Sequence, residues 1–333
     1  MKAPMTVSNT SDDNAMTVGD TAIVGLSPSR LALARFRRDK VAVIAFFVVC
    51  FFVFIAIFAP VLTSIFNLSP YALDRQALND YGNPIGYFGG ISWNHPLGVE
   101  PGTGRDILGR LMYGARVSLL IGFIGTIVTT GVGLVLGMVS GLRRGLLDSV
   151  ITRVADLTLA FPSLLLIIAL NRPLTQRLES MGVPKGNFAR MTYIILVLTV
   201  FGWVYMARLI RGQVLSLRER EFVEAARSFG ASNTHIVFKE LLPNLWAQVI
   251  VFATLSLPGY VAVEASLSFL GIGLMAPAAS WGTMLGDSVR YYRADPTYLL
   301  IPGVTLMILV MAFNLMGDGL RDAVDPKSDR QQL

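Results

Sequence analysis

An all-α integral membrane protein is the fold class this sequence predicts, and three observations carry it. Hydrophobic residues make up 53% of the 333-residue chain and charged residues only 15%, leaving more apolar surface than a soluble core can bury, so the excess faces lipid. The apolar residues gather in six runs of roughly 20, the length of helix that crosses about 30 Å of hydrocarbon while bonding every backbone amide internally. Basic residues cluster at the ends of those runs. The net charge of +6 therefore reads as a membrane pattern, and no nucleic-acid partner is expected.

Taken in order, the spans are predicted at about Val41 to Leu62, Val117 to Ser140, Val150 to Leu170, Tyr193 to Ile210, Leu245 to Gly271 and Tyr298 to Leu315. Pro162, Pro258 and Pro302 sit where they can bend the third, fifth and sixth, either as static kinks or as hinges. Gly133, Gly137 and Gly141 recur every four residues on the second, a flat face for close helix packing. Residues 1–34 read as a polar, mobile tail. No basic start leads directly into an apolar segment there, so no cleavable signal peptide is expected.

Six crossings put both ends on one side. Placing the termini, with the 327–333 tail, in the cytoplasm puts eighteen of the 28 Lys and Arg residues there, the side on which basic residues are retained. The transmembrane domain is then residues 35–326, with an external loop at about 63–116 and a cytoplasmic loop at about 211–244.

Several chemistries are excluded. The five lysines follow Met1, Asp39, Pro184, Phe238 and Pro326, so no loop of the form G-x-x-x-x-G-K-[ST] exists to cradle a nucleotide. There is no H-E-x-x-H and no G-x-S-x-G, and two histidines, His95 and His235, do not make a metal site alone. Cys50 has no partner in the chain for a disulfide. No catalytic residue, metal or cofactor is expected here, and any ATP and Mg would be held by another subunit.

The cytoplasmic loop is the most structured of the connections. Phe222, Ala225, Ala226 and Phe229 fall at i, i+3, i+4 and i+7, one helical face, and Glu221 and Glu224 lie in its first turn. Gly230 is a helix stop, Ser232 or Asn233 caps a second helix through Ile236, and Pro243 closes it. On pattern alone this hairpin is either an interfacial helix on the lipid headgroups or a surface for a partner.

Glu224-Ala225-Ala226, then Gly230, Ile236 and Leu241-Leu242-Pro243-Asn244, resembles the EAA loop of permease subunits of ABC importers, with Lys239-Glu240 where that family often has a basic or histidine pair. Phe36-Arg37-Arg38-Asp39-Lys40, His95-Pro96-Leu97-Gly98, Gly104-Arg105-Asp106, Tyr113-Gly114-Ala115-Arg116, Leu267-Ser268-Phe269-Leu270-Gly271, Ser280-Trp281-Gly282 and Asn314-Leu315-Met316-Gly317-Asp318 resemble the C-type permease of dipeptide, oligopeptide and nickel importers. Glu100 stands where that family usually has an aspartate.

The resemblance implies a six-helix ABC importer transmembrane domain with a cytoplasmic coupling helix, in the cell membrane. It implies a second permease, two ATP-binding subunits that hold ATP and Mg, and an external substrate-binding protein. Glu221, Phe222, Glu224, Ala225, Ala226, Phe229, Gly230, Ile236 and Pro243 would then couple to the ATP-binding subunits, and His95, Gly98, Arg105 and Asp106 become candidates for external docking. Arg105 and Asp106 have a second reading, a local ion pair that pins the loop.

Asp156 and Glu264 are ionisable groups within spans, where such groups usually face protein or water, so both are candidates for the translocation path. Asp156 has an alternative as an i, i+3 partner of Arg153, and Glu264 as a structural hydrogen-bonding group. The expected cargo is a di- or oligopeptide, with nickel or another small solute as the alternative. A proton-coupled secondary transporter working through Asp156 or Glu264, and a noncatalytic membrane scaffold, are the rivals from other classes.

Overall fold

The computed structural model describes residues 28–143 and 145–324 and is helical almost throughout. The expected mobile tail at 1–27, Arg144 and the segment 327–333 lie outside the described residues. Residues 28–34, also expected in the tail, belong instead to a helix, α1, at Pro28–Arg38. It packs on the last helix of the chain and sets Phe36 edge-on to Phe46 at 6.3 Å, and its final-turn arginines suit the negative end of the helix dipole.

Asp39 ends α1 and caps α2 (Lys40–Ile65), its carboxylate accepting from the Val41 and Ala42 amides at 2.9 and 3.1 Å. Along α2 the buried residues are Ala42, Ala45, Val49, Phe52, Ala56, Ala59 and Thr63, an alternation of three and four that draws one seam facing protein. Phe47, Phe51, Phe54 and Phe58 are exposed around the rest of the helix, as lipid contact requires.

Ten residues before the expected second span, Asp106 starts α3 (Ile107–Leu142), taking the Gly109 amide at 2.6 Å. The charge of Arg110 hides this turn from an apolar count, yet Arg110 is fully buried against Glu100. Helix α3 is the centre of the bundle, touching α2 on one side and α6 (Asn187–Leu217) on the other. Gly133, Gly137 and Gly141 form its α6 face. A Cβ at Gly133 would lie 2.5 Å from the Met206 Cβ, and one at Gly137 2.6 Å from the Ala207 carbonyl oxygen, so only glycine admits the neighbouring backbone there.

The third expected span is not one straight helix. Helices α4 (Leu146–Ala160) and α5 (Ser163–Ser180) meet at a bend of 90°. Pro162 removes an amide donor and holds Phe161 in an extended conformation, φ −82° and ψ 138°, which no helix continues through. Pro258 and Pro302, by contrast, lie inside helices that run on, α9 (Leu242–Phe269) and α11 (Thr297–Val324), both prolines buried among neighbours. Between these two, α10 (Trp281–Ser288) begins with a capping box of Ser280 and Thr283.

Among the described residues five helices are long and apolar enough to cross a membrane, and the bent α4–α5 pair makes a sixth crossing if counted as one span. The core joins α2, α3, α10 and α11 around Trp281, which is fully buried. Its indole N–H donates to the Leu111 carbonyl at 3.0 Å, its ring meets Phe52 edge-on at 5.8 Å, and Gly114 leaves room for it on α3.

Candidate functional site

The hairpin beneath the bundle is built from the end of α6 outward. Arg218, almost fully buried, donates from Nη1 to the Gly141 carbonyl at 2.9 Å, and the chain turns there into α7 (Glu221–Ser228). Val223 is the one fully buried side chain of α7. It enters a cluster with Met206, Ile210, Val214, Ile236, Leu241 and Leu245 that closes the lower ends of α3, α6 and α9. With Val223 turned in, Glu221, Phe222, Glu224 and Ala225 are exposed and Ala226 is half-buried. Phe229, which ends the helix, is 90% exposed. Gly230 at φ +79° reverses the chain directly after it, with its amide on the Arg227 carbonyl at 2.9 Å. Leu142, Arg218, Glu219, Glu224 and Arg227 line a cleft of about 370 Å³ beside α7.

After the turn, Ser232 caps α8 (Asn233–His235), its hydroxyl accepting the His235 amide at 3.2 Å. The chain does not stop at Pro243 as expected. A π-helical turn at Ile236–Leu241 leads straight into α9, and Asn233–Phe269 is one continuous helical run. Pro243 sits exposed just after the π-helical turn, and the altered hydrogen-bond register there lets the helix run on past its missing amide. The Glu240 carbonyl accepts the Asn244 side-chain amide at 2.6 Å. Ile236 is buried beneath the hairpin, whereas Phe238 is exposed with Phe222 and Phe229.

At the other end of the bundle, the residues expected to face a docking partner point inward. His95 bonds Asp106 through Nδ1 at 2.8 Å and reaches Asp74 through Nε2 at 3.4 Å. Gly98, at φ +82°, lies against the Gly89 carbonyl, where a Cβ would overlap it. The Arg105–Asp106 ion pair does not form: Asp106 is spent on His95 and the α3 cap, and Arg105 faces Glu100 at 3.9 Å. Glu100, buried, accepts from Thr103 at 2.9 Å and from the Tyr298 hydroxyl at 2.8 Å and contacts the Arg110 guanidinium, which also donates to the Pro70 and Pro277 carbonyls. This network ties the loop between α2 and α3 to α3 and α11. The side chains the loop leaves exposed include four aromatics, Tyr81, Tyr87, Phe88 and Trp93, beside polar and aliphatic ones such as Arg75, Asp80, Ile85 and Ile91.

The two acidic residues within spans part company. Glu264 is fully enclosed, taking hydroxyl donors from Ser118 at 2.6 Å and Ser268 at 2.8 Å, with Ser280 as a third partner, so it clasps α3, α9 and the start of α10. Asp156 does not pair with Arg153. It pairs with Arg208 across on α6 at 2.7 Å, both side chains about half exposed. Sequence reasoning missed a stronger link on the same pair of helices: Asp148 on α4 takes both Nε and Nη2 of Arg211, at 2.7 and 2.8 Å.

A family model described as binding-protein-dependent transport system inner membrane component matches residues 133–330, which include the hairpin and both helices that carry it. The chain belongs to that family. A second model, the N-terminal TM domain of oligopeptide transport permease C, matches residues 27–84 of the permease. The permease is 39% identical over 302 residues to the dipeptide transport system permease protein DppC of Alkalihalophilus pseudofirmus, covering 91% of each chain. It is 37% identical over 296 residues to the oligopeptide transport system permease protein OppC of Bacillus subtilis, covering 89% of this chain and 88% of that one. A solved chain of the MetNI methionine ABC transporter, in an inward-facing form, superposes with a TM-score of 0.52 at 22% identity over 66% of this chain and 98% of that chain, a likeness of fold. The protein is thus the multi-pass permease subunit of an ABC importer, and a proton-coupled carrier or a scaffold is no longer an alternative reading.

Proposed function

We propose that this permease carries di- or oligopeptides inward, delivered by an external substrate-binding protein, through a path shared with a second permease. The peptide cargo rests on the relatives, whose names include dipeptide and oligopeptide transport. Both termini and the α7 hairpin lie in the cytoplasm on this reading, the side that collects the larger share of Lys and Arg.

The observation that carries the mechanism is the division of α7 into an anchored and an offered side. Val223 ties the helix to the bundle, while Phe222, Ala225 and Phe229 stand outward with no partner among the described residues. An ATP-binding subunit seated on that outward side moves α7 as ATP and Mg bind and leave. The anchor passes the displacement into α6 and α9, and alternating access follows as a rigid-body change. Differential contact at this surface is what lets nucleotide favour one state over another. This chain supplies no hydrolytic chemistry.

The outer loop, fixed by Asp106, Glu100 and Arg110, offers its exposed aromatic residues to the binding protein. The decisive experiment places cysteine at Ala225 in a Cys50→Ser background and crosslinks the intact assembly. A product with an ATP-binding subunit whose yield changes with nucleotide supports the coupling role. A reading in which α7 lies on lipid headgroups requires no such product and ATP-fuelled uptake that survives deletion of 221–230.

A further inference from the structure

We infer that α5 and the first turn of α6 form a binding site for a carboxylate group, at the end of the bundle opposite α7. Asn171, Arg172, Thr175, Gln176, Glu179 and Arg190 line one cavity of about 310 Å³. The first five fall on α5 at i, i+1, i+4, i+5 and i+8, one face of the helix. Arg190 meets them from the start of α6. A polar face of this length on a membrane helix is not matched to hydrocarbon; it faces water or a polar group.

Some of the polar capacity is already committed. The Asn171 amide donates to the Ile272 carbonyl at 2.6 Å, Arg190 donates through Nη1 to the Gly273 carbonyl at 3.1 Å, and Glu179 accepts the Gly186 amide at 3.0 Å. These bonds hold the walls in place. What remains is mostly donors. The Thr175 hydroxyl is buried, its residue 8% exposed, and has no hydrogen-bond partner. Arg172 and Gln176 make no hydrogen bond or ion pair among the described residues, and Arg190 keeps further N–H groups. Two guanidiniums face one carboxylate, so the cavity is donor-rich and formally positive, the chemistry that recognises an oxyanion. Its volume is at the small end of sites that hold organic ligands, enough for a carboxylate with a residue-sized body attached.

Location selects among oxyanions. From Arg190 to Leu217, where α6 ends above the hairpin, the helix is unbroken and about 40 Å long, more than the hydrocarbon core of a bilayer. The cavity therefore opens at the membrane face opposite the hairpin. The inference rests on the proposed function for the direction of transport: this is the face that receives cargo, and a peptide with a free C-terminus brings the carboxylate.

The test uses the complete assembly in nanodiscs, with Cys50→Ser and Gln176→Cys in this chain. Labelling of position 176 is timed with a negatively and a positively charged methanethiosulfonate of similar size, each rate divided by its rate on free cysteine. The anionic reagent is expected to be favoured about tenfold, as a net positive site close to the thiol predicts. Adding Arg172→Gln and Arg190→Gln should bring the ratio to about one. Alanyl-alanine should slow the labelling and its C-terminal amide should not. Equal rates for the two reagents overturn the inference. So does labelling that ignores alanyl-alanine but slows for both reagents when phosphatidylglycerol replaces phosphatidylcholine, because the group held is then an anionic lipid headgroup. Uptake of alanyl-alanine driven by ATP is read separately in proteoliposomes. Its absence beside a charge-selective, protected thiol counts against the transport reading and leaves the site standing.

Discussion

Arg218 on α6 and Gly141 on α3 are joined by a buried hydrogen bond of 2.9 Å at the corner from which α7 departs. The bond crosses between two helices that pack along their length, so the root of α7 belongs to both. Glycine at 141 is part of the arrangement, since a Cβ there would press on the Val214 side chain.

Replacing Arg218 by Gln is therefore expected to loosen the coupling corner more than the bundle. A hydrogen bond from a charged donor contributes about 1.5–3 kcal/mol, and its loss leaves the Gly141 carbonyl without that partner. In proteoliposomes, uptake should fall at least several-fold while the assembly still hydrolyses ATP. Equal losses of uptake and hydrolysis, with less protein recovered, would instead place the effect on folding.

The α3–α6 contact gives a paired test. Gly137→Ala puts a methyl against the Ala207 backbone and should lower stability by about 1–3 kcal/mol, the usual range for overpacking. Gly131→Ala meets nothing within 4 Å and should be neutral or stabilising by up to about 1 kcal/mol, since alanine favours helix. Thermal unfolding in detergent separates the two, and equal shifts would show that the glycine face is not what holds α6.

Arg110 has no solvent exposure and serves Glu100 and two carbonyls. Arg110→Met leaves Glu100 buried without its cation, and breaking such a pair typically costs about 3–5 kcal/mol. The loop between α2 and α3 should become sensitive to protease at concentrations that spare the wild type. Tyr298→Phe removes only a hydroxyl donor and should have the milder effect in the same assay.

Glu264→Gln keeps the shape and an acceptor for the serine cluster, so uptake per folded molecule should stay close to wild type. Glu264→Ala opens a hole and strands the hydroxyls of Ser118 and Ser268, and should destabilise by a few kcal/mol. If Glu264→Gln abolishes uptake with normal protein levels and melting temperature, the carboxylate takes part in the path after all.

Much of this arrangement was legible in the residues. The apolar length of the first span, the Gly133–Gly141 spacing and the punctuation around Gly230 are local signals, and local structure follows them. The early start of α3 was not legible, because Arg110 reads as a break until Glu100 is found beside it. Val223 was overlooked as the anchor of α7 since a single valine carries no pattern. The run of α5 on to Ser180 was hidden for a related reason: its polar face resembles a loop in a hydropathy count, although as a helix it lines a cavity. Pro162 and Pro243 are the same residue type with opposite outcomes. The first follows an extended Phe161 at the sharp bend, whereas the second follows a π-helical turn whose changed hydrogen-bond register carries the helix past it.

The helical passage from Asn233 to Phe269 is roughly 55 Å long at about 1.5 Å per residue, with the π-helical turn at Ile236–Leu241 near its foot under the bundle and Pro258 on the way to its head beside α10. A continuous helix of that kind passes a sideways push at one end to the other as a tilt, and the π-helical turn and the proline are the two places where it can yield. The two faces of the membrane are in this sense geared together by a single piece of backbone.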